Sequence, residues 1–399
     1  MATRLFFPTF AHMNSDDTPS PHPFATALLH WYAQHGRRLP WRDTHDAYRI
    51  WLSEVILQQT RIEQGRAYWL RFVERWPTVQ HLAAATEEEV LRQWQGLGYY
   101  SRARNLLTAA RQVVALGAFP QSIEGLRRLK GVGPYTAAAI GSMAFGLPAA
   151  VVDGNVFRVL SRHFSISTPI NSTEGRHVFD ELATRLLPPA HAADYNQAVM
   201  DFGATWCTPQ SPRCADCPLQ HSCLALASGT VSSLPVKERK LKVTTRRLAY
   251  VYIKCKGQTA IHRRGEGDIW QGLWEPFNAT ASVSAPTVPG GFPAITPPTV
   301  PGGFPATTPP TVPGGFPAGS RLSLIKKNVR HVLTHRILLA DFYLLQTDER
   351  PTLPADYIWI DEADIDNYAI PRLIEIMKEE IEKFCQESVT FPSPNRLNK

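Results

Sequence analysis

Four of the six cysteines in this 399-residue chain lie close together, in the pattern Cys207-x6-Cys214-x2-Cys217-x5-Cys223. Four thiolates grouped in a chain that is otherwise poor in cysteine are typical of a metal site, and their common occupants are tetrahedral zinc and an iron–sulfur cluster. Structural zinc sites usually pair two Cys-x2-Cys units, whereas this segment has one such pair with wider arms on either side. The residues alone therefore favour a cluster and leave zinc open.

The chain divides into a helical part and a later part with strand patterns. In the first part apolar residues recur at intervals of three and four, broken by glycine and proline, which predicts roughly ten short helices. In the second part, alternating or β-branched segments predict strands over 247–254, 259–262 and 337–345. We expect an N-terminal tail over 1–22, a mainly α domain over 23–230, a linker over 231–243, an α+β domain over 244–385 and a C-terminal tail over 386–399.

A twelve-residue repeat interrupts the strand pattern. Copies of Pro-Thr-Val-Pro-Gly-Gly-Phe-Pro-Ala begin at Pro286, Pro298 and Pro310, and this insert over 286–319 holds 11 of the 33 prolines. Glycine is not every third residue, so a collagen helix is excluded, and three such units hold too few apolar side chains for a solenoid. The insert is predicted to be an extended or disordered loop.

Charge and hydropathy limit the partners and the compartment. The net charge of +7 fits a polyanionic partner without requiring one. No run of eighteen or more apolar residues exists, so no membrane span is predicted. Cysteine is too sparse for a secreted disulfide scaffold, and the first residues do not resemble a signal peptide, so we expect a reducing, cytoplasmic compartment.

A glycine turn precedes a predicted helix at residues 129–134. Gly131 and Gly133 permit a tight turn and a close approach of a ligand to backbone amides, and the helix after the turn offers unpaired N–H groups to an anion. A plain turn between two helices would show the same glycine spacing. Three neighbouring basic residues favour nucleic acid: Arg127, Arg128 and Lys130.

Two carboxylates are candidates for catalysis. Glu54 lies in an apolar helical segment over 50–57, where desolvation would raise its pKa and suit a general acid. The alternative is a glutamate that faces solvent in the first turn of a helix. Asp153 follows four small or branched apolar residues and precedes a helical pattern, so it is either a helix N-cap or the second carboxylate of a glycosidic site.

These motifs, in this order, resemble the helix-hairpin-helix DNA glycosylases of the endonuclease III superfamily. The cysteine spacing is similar to that family's 4Fe–4S loop, which implies one 4Fe–4S cluster. Segments 39–42, 53–60 and 96–102 resemble the MutY branch, which removes adenine mispaired with 8-oxoguanine. The resemblance covers roughly residues 23–277 and 325–385. It implies a mainly α helix-hairpin-helix glycosylase domain with a cluster loop, followed by an α+β Nudix-like domain.

The resemblance implies a monomer that binds double-stranded DNA with adenine opposite 8-oxoguanine or guanine and flips the adenosine out of the stack. Glu54 would protonate the adenine and later help to activate water, and Asp153 would stabilise the sugar cation by charge or by a transient covalent bond. Tyr135 and Asn155 would orient Asp153 and the sugar. Relatives that also cleave the strand carry a lysine where this chain has Tyr135, so a monofunctional hydrolase is expected.

The resemblance also assigns binding residues. Arg37, Arg42 and Asp201 match positions that line the adenine pocket. Three residues match those that fill or wedge the duplex beside the orphan base: Gln59, Leu97 and Tyr99. Thr60, which follows Gln59, is also assigned to DNA binding. Two rivals remain, a thymine- or uracil-mismatch glycosylase of the same fold and a catalytically silent iron–sulfur protein that binds DNA.

The C-terminal domain is similar to a Nudix fold at residues 270–277 but lacks the glutamate-rich Nudix helix, so pyrophosphohydrolase activity is not expected. Leu333-Thr334-His335 resembles the family's Phe-Ser-His loop that reads 8-oxoguanine, with leucine in place of the aromatic residue. A hydroxyl and a histidine at a strand entry are the plainer interpretation. The repeat lies at the place in the chain where members of the family have a connection that contains a helix.

Overall fold

The computed structural model describes residues 21–238, 243–280, 310, 312–313 and 315–390, with the backbone alone for 388–390. The predicted tails and most of the repeat lie outside these residues. The chain separates into two compact units, the first formed by Met1–Glu54 with Leu116–Glu238 and the second by Val55–Ala115 with Arg239–Lys399. Among the described residues, no helix is both long and apolar enough to cross a membrane.

Helices dominate the first part of the chain, as predicted. In chain order they are α1 (Pro23–His35), α2 (Ala47–Leu57), α3 (Ile62–Arg75), α4 (Val79–Ala84), α5 (Glu87–Trp94), α6 (Ser101–Leu116), α7 (Ile123–Arg127), α8 (Pro134–Phe145), α9 (Gly154–His163), α10 (Thr173–Leu186), α11 (Ala192–Thr205) and α12 (Leu224–Ala227). The last helix among the described residues is α13 (Arg372–Thr390).

The first unit packs its helices around one apolar core, in which Leu28 of α1, Phe179 of α10 and Phe202 of α11 are fully buried. Within this unit, α7, the turn after it and α8 form a helical hairpin. Pro134 occupies the first helical position of α8, and the helix ends at Gly146, whose φ of 65° places it in the left-handed region. The predicted glycine turn followed by a helix is confirmed.

The second unit joins helices α3 to α5 and most of α6 to a six-stranded sheet. The strands are β1 (Thr244–Cys255), β2 (Gln258–Arg263), β3 (Trp274–Asn278), β4 (Arg321–Val332), β5 (Arg336–Thr347) and β6 (Tyr357–Asp361), in the sheet order β4-β5-β1-β3-β2-β6. Strands β1 and β5 are parallel, and the other pairs are antiparallel. The three predicted strands are present. The compact units do not follow the predicted domain boundary, because helices over 55–115 belong with the sheet.

The two faces of the sheet bury different residues. One face packs Tyr250 and Phe342 against Leu373 and Met377 of α13. The opposite face buries Phe277 and the alternate residues of β1 and β5, which are Val251, Ile253, Tyr343 and Leu345. This alternation follows from the two-residue period of side chains along a strand.

Candidate active site

Glu54 lies in the last turn of α2, one turn after the buried Ile50 and Trp51. Desolvation is the largest effect on its carboxyl and raises the pKa of Glu54 to about 7, against a hydrogen bond from the Tyr135 hydroxyl and the charge of Arg42. The predicted rise in pKa is confirmed. The alternative of a first-turn glutamate is wrong, because α2 begins at Ala47.

Asp153 is the N-cap of α9. One of its oxygens accepts hydrogen bonds from the backbone N–H groups of Asn155 and Val156, both at 2.8 Å. Its other oxygen accepts one from Asn155 Nδ2 at 2.8 Å. Burial raises the pKa of Asp153, and these hydrogen bonds oppose the rise. The N-cap interpretation is confirmed, and it is compatible with the catalytic one because the capped carboxylate is fixed beside Glu54, whose pKa it also raises.

Tyr135 was predicted to orient Asp153, but its hydroxyl donates to Glu54 and lies 3.4 Å from Met200 Sδ. Burial and then the charge of Glu54 raise the pKa of Tyr135 well above its ordinary value, so the phenol is neutral. Tyr135 is the second residue of α8. The groups that donate to Asp153 belong to α9, the helix that Asp153 caps, and they include the Asn155 side chain. The hydroxyl of Tyr135 therefore contacts the Glu54 carboxyl, and the hydrogen bonds of Asp153 come from α9.

Arg158 completes the support of Asp153, and sequence reasoning missed it. Its guanidinium donates to Asn155 Oδ1 at 2.8 Å, which orients the Asn155 amide so that its nitrogen faces Asp153. The same side chain donates to the carbonyls of Gly203 at 2.7 Å and Cys207 at 2.8 Å. A signal was present, since residues three apart on a helix share a face. One buried arginine thus connects the aspartate with the start of the cysteine segment.

Arg37 and Arg42 converge on Asp201. Arg37 donates its backbone N–H and its Nε to the carboxylate, both at 2.9 Å, and Arg42 donates Nη1 at 2.7 Å and Nη2 at 2.8 Å. Burial alone would raise the pKa of Asp201, but these hydrogen bonds hold it below its ordinary value. Asp201 was predicted to line the adenine pocket. This is corrected, because the residue is 0% exposed and lies beneath the two arginines.

A cavity of about 770 Å³ opens beside this cluster. Its lining includes Arg37 and Arg42, which were predicted to line the adenine pocket, together with Tyr32 and Gln197, which sequence reasoning missed. The Tyr32 hydroxyl donates to Gln197 Oε1 at 2.8 Å. Gln197 precedes Asp201 by four residues on α11 and so shares its helix face, which was a usable signal. Arg42 lines this cavity, and its charge also lowers the pKa of Glu54.

The glycines of the helical hairpin are exposed, as an anion site requires. Gly131 has a φ of 78°, which favours glycine, and Gly133 is the N-cap of α8. A methyl group added at Gly133 would meet no atom within 4 Å, so its backbone is open to a ligand. The structure therefore presents these amides as predicted, at the N-terminus of a twelve-residue helix.

In the second unit, two of the predicted wedge residues are presented to solvent and one is not. Gln59 is exposed and Tyr99 is 46% exposed, and both have positive φ values, 56° and 46°, which are unusual for residues with side chains. Leu97 is only 8% exposed, so the expectation that it wedges the duplex is corrected: it packs inside the unit. Thr60, next to Gln59, is partly buried.

Arg102 holds the loop that presents Tyr99. Its guanidinium donates to the carbonyls of Leu97 and Gly98 in the loop, both at 3.3 Å, and to those of Val55 at 2.9 Å and Gln58. Desolvation lowers the pKa of Arg102 to about 10. The arginine thus fixes the loop to the backbone at the end of α2.

Thr334 and His335 lie in the tight turn between β4 and β5, where both side chains are exposed. The Thr334 hydroxyl is hydrogen-bonded to the Tyr99 hydroxyl, and the His335 carbonyl accepts from the backbone of Thr244 at 3.1 Å. Leu333 packs into the core beneath them. Tyr99, predicted to wedge the duplex beside the orphan base, and Thr334, predicted to read 8-oxoguanine, are therefore in direct contact.

The four clustered cysteines are free thiols that line one cavity in the first unit, with Arg162 beside them. Arg162 is 3% exposed and its Nη1 lies 3.4 Å from Cys207 Sγ, so a buried positive charge faces the sulfurs. Within the described part of the chain, no three histidine, cysteine or acidic side chains are arranged to hold one metal ion. Four cysteines around one cavity, with the positive charge of Arg162 beside them, fit a negatively charged cluster.

Three segments match known families. Residues 52–183 match the HhH-GPD superfamily of base excision DNA repair proteins. Residues 207–223, which contain all four clustered cysteines, match the iron–sulfur binding domain of endonuclease III. Residues 249–380 match the NUDIX domain. The predicted 4Fe–4S site on Cys207, Cys214, Cys217 and Cys223 is confirmed, as is the two-domain fold class.

The relatives share one description. The adenine DNA glycosylase of Mus musculus is 46% identical over 226 residues, which cover 53% of this chain and 44% of that protein. The adenine DNA glycosylase of Buchnera aphidicola subsp. Schizaphis graminum (strain Sg) is 32% identical over 254 residues, covering 63% of this chain and 73% of that protein. The match thus spans less than half the length of the mammalian relatives. Among solved structures, a thermostable thymine-DNA glycosylase is 30% identical, covers 51% of this chain and 95% of its own, and has a TM-score of 0.48.

We expect the cluster to be visible and to depend on each cysteine. Protein purified without oxygen should be brown and contain about four iron atoms per chain, because four thiolates satisfy one cubane cluster. Cys217→Ser should lose the colour and most of the iron, whereas Cys385→Ser, outside the cysteine segment, should retain both. Stoichiometric zinc in a colourless protein would contradict the assignment.

Proposed function

The chain belongs to the adenine DNA glycosylase family, and we propose that it hydrolyses the bond between adenine and deoxyribose where adenine is mispaired with 8-oxoguanine or guanine. The observation that carries this proposal is Glu54, with a pKa of about 7, grouped with Tyr135 and Asp153. A protonated carboxyl on the leaving-group side and an ionised one near the sugar are the groups that cleave a glycosidic bond. The product is an abasic site.

Glu54 acts first, as the general acid. With its pKa near 7, about half of the molecules hold the proton at neutral pH, so the acid is available without being too weak to donate. The hydrogen bond from the Tyr135 hydroxyl opposes the rise in the pKa of Glu54 that desolvation causes. Proton transfer to adenine makes the base a better leaving group, and the ionised Glu54 then helps to activate water.

Asp153 opposes the positive charge that develops on the sugar. Its carboxylate is held by three hydrogen bonds that favour the ionised form. Asn155 fixes the orientation of one oxygen, and Arg158 fixes Asn155. The carboxylate is therefore preorganised, so that no rearrangement is needed when the sugar charge appears.

Tyr135 provides the test of monofunctional chemistry. Tyr135→Lys should form a covalent complex with the DNA on borohydride treatment, because an amine beside the sugar can attack it and form a Schiff base. The unmodified protein and Tyr135→Phe should form none. Absence of any trapped complex with Tyr135→Lys, in a variant that still binds DNA, would count against placing residue 135 beside the sugar.

The hairpin glycines are proposed to bind the DNA backbone, and exposed residues of the second unit are proposed to contact its bases. Open amides at Gly131 and Gly133 suit a phosphate. Tyr99 stacks on the bases at the orphan position, a contact of about 1–3 kcal/mol, while Gln59 fills the space left by adenine. Thr334 and His335 read 8-oxoguanine. We propose that the protein acts as a monomer in the cytoplasm, on the nucleoid.

The decisive experiment compares duplexes. Single-turnover release of base, revealed by alkaline cleavage at the abasic site, should be fast for adenine opposite 8-oxoguanine and slower for adenine opposite guanine. A thymine:guanine duplex should give no cleavage. Cleavage of the thymine strand alone would favour the mismatch-glycosylase rival, and tight binding with no release from any duplex would favour the silent DNA-binding protein.

A further inference from the structure

One face of the six-stranded sheet is covered by chain from the proline-rich repeat. Helix α13 covers the opposite face. On this face, Val312 is 3% exposed and belongs to the same buried cluster as Val251, Phe277 and Leu345, and Phe316 packs against that cluster. The third copy of the repeat therefore contributes two side chains to the core of the domain, although the copies were predicted to form a loop.

The sequence of the repeat produces the shape that makes this packing possible. The backbone N–H of Gly315 donates to the carbonyl of Val312 at 3.0 Å, which closes a turn over Val-Pro-Gly-Gly. Gly315 has a φ of 82°, a conformation that favours glycine. The chain turns back between Val312 and Phe316, and the side chains of both residues pack on the sheet. The turn and the two side chains that pack on the sheet therefore all belong to the five residues Val-Pro-Gly-Gly-Phe.

The same five residues stand at 288–292 and at 300–304. All three copies share Pro-Thr-Val-Pro-Gly-Gly-Phe-Pro-Ala, and they differ only after the alanine. The valine and the phenylalanine that pack on this face, and the Pro-Gly-Gly sequence between them, are thus present three times. The chain therefore contains three segments with the same chemistry as the one that packs on this face.

The chain between β3 and the first copy is long enough for that copy to reach this face of the sheet. Val288 comes ten positions after Asn278, the end of β3. An extended chain of that length spans about 33–36 Å, whereas a sheet of six strands is about 24 Å wide. The entropy of closing a loop changes only slowly with its length, so moving twelve residues from one side of the cleft to the other costs little.

We propose that this face of the sheet is a binding cleft for the peptide motif Val-Pro-Gly-Gly-Phe-Pro, and that the three copies of this chain compete for it. Binding is by burial of one valine and one phenylalanine on either side of a glycine turn. When one copy replaces the next on this face, twelve residues of connecting chain move from the β3 side of the cleft to the β4 side, or back. The repeat is therefore an internal ligand supplied in three copies.

Substitutions in single copies test the exchange. Val312→Ser with Phe316→Ser disables the third copy, and the matched control disables the first two with serine at Val288, Phe292, Val300 and Phe304. In the full chain, each variant should keep the thermal midpoint of the unmodified protein, since an intact copy remains. Serine at all six positions should lower the midpoint. A third-copy variant that loses as much as the six-position variant would overturn the proposal.

Two further measurements complete the test, and the first of them, by ¹⁹F NMR, does not depend on folding of the six-position variant. With fluorophenylalanine at position 304, ¹⁹F NMR should show a buried signal that grows when the third copy is disabled, and a solvent-like signal alone in both proteins would overturn exchange. A synthetic Pro-Thr-Val-Pro-Gly-Gly-Phe-Pro-Ala peptide should bind the six-position variant about ten-fold more tightly than the unmodified chain, where tethered copies compete. A dimer that disappears in that variant would instead identify the occupant as a second chain.

Discussion

Glu54→Gln is expected to lower the single-turnover rate of adenine release by a factor of about 10²–10⁴. Glutamine has the size of the native side chain, but its amide cannot transfer the proton that makes adenine a leaving group. Binding of the lesion duplex should change little, which separates chemistry from recognition. The matched control is Glu174→Gln, an exposed glutamate in the same unit, which should leave the rate unchanged. Full activity in Glu54→Gln would remove the general acid from the mechanism.

The pH profile gives an independent test of the same group. Because desolvation raises the pKa of Glu54 to about 7 and the acid works when protonated, the rate constant should be level below pH 6 and fall above pH 7. At one pH unit above the pKa, about a tenth of the molecules retain the proton. The residual rate of Glu54→Gln should lack this decline.

The raised pKa also predicts an effect on stability. A carboxyl whose folded pKa exceeds its unfolded value binds more protons in the folded state, so the protein loses stability as pH rises from about 4.5 to about 7. Glu54→Gln removes the buried charge. The variant should therefore melt at a higher temperature than the unmodified protein at pH 8, with a smaller difference at pH 5.

The sequence predicted those features of the site that are local in the chain. Glu54 among apolar neighbours, Asp153 before a helix and the glycines before α8 each depend on residues within one or two turns, where periodicity and capping rules apply. The cysteine spacing is equally local. Strands β1, β2 and β5 were found because they are rich in β-branched and aromatic residues.

The features that were missed depend on contacts between distant segments. Asp201 could not be placed beneath Arg37 and Arg42 from its helix alone, because the arginines lie more than 150 residues away. Leu97 was expected to wedge the duplex only because it matches a family residue with that role, and its burial depends on packing within the second unit. Strand β4 escaped notice because it is an edge strand with mixed polarity and register shifts.

The second large effect is expected at Asp201. Asp201→Asn keeps the shape of the side chain but removes the charge that faces Arg37 and Arg42, whose side chains are 30% and 12% exposed. Removing one partner from a buried ion pair leaves the other charge uncompensated and costs about 3–5 kcal/mol. Against a typical total of about 5–15 kcal/mol, that loss is severe. Urea denaturation of the variant and the unmodified protein measures it.

The sign of the pH dependence follows from the lowered pKa of Asp201. Although burial alone would raise it, the hydrogen bonds from the two arginines hold the folded pKa below the ordinary value of 3.8. The stabilisation is therefore fully present above pH 4 and is lost as the pH falls through the folded pKa. The difference between Asp201→Asn and the unmodified protein should stay constant from pH 5 to pH 8 and shrink in stronger acid.

A triple replacement separates the structural role of this cluster from its role in binding. Replacing a buried charged triad by apolar residues of similar volume is often neutral or stabilising. Asp201→Leu with Arg37→Met and Arg42→Met should therefore recover the stability that Asp201→Asn loses. If the arginines bind adenine in the neighbouring cavity, this stable protein should still release the base slowly. Recovery of both stability and activity would show that the cluster serves the fold alone.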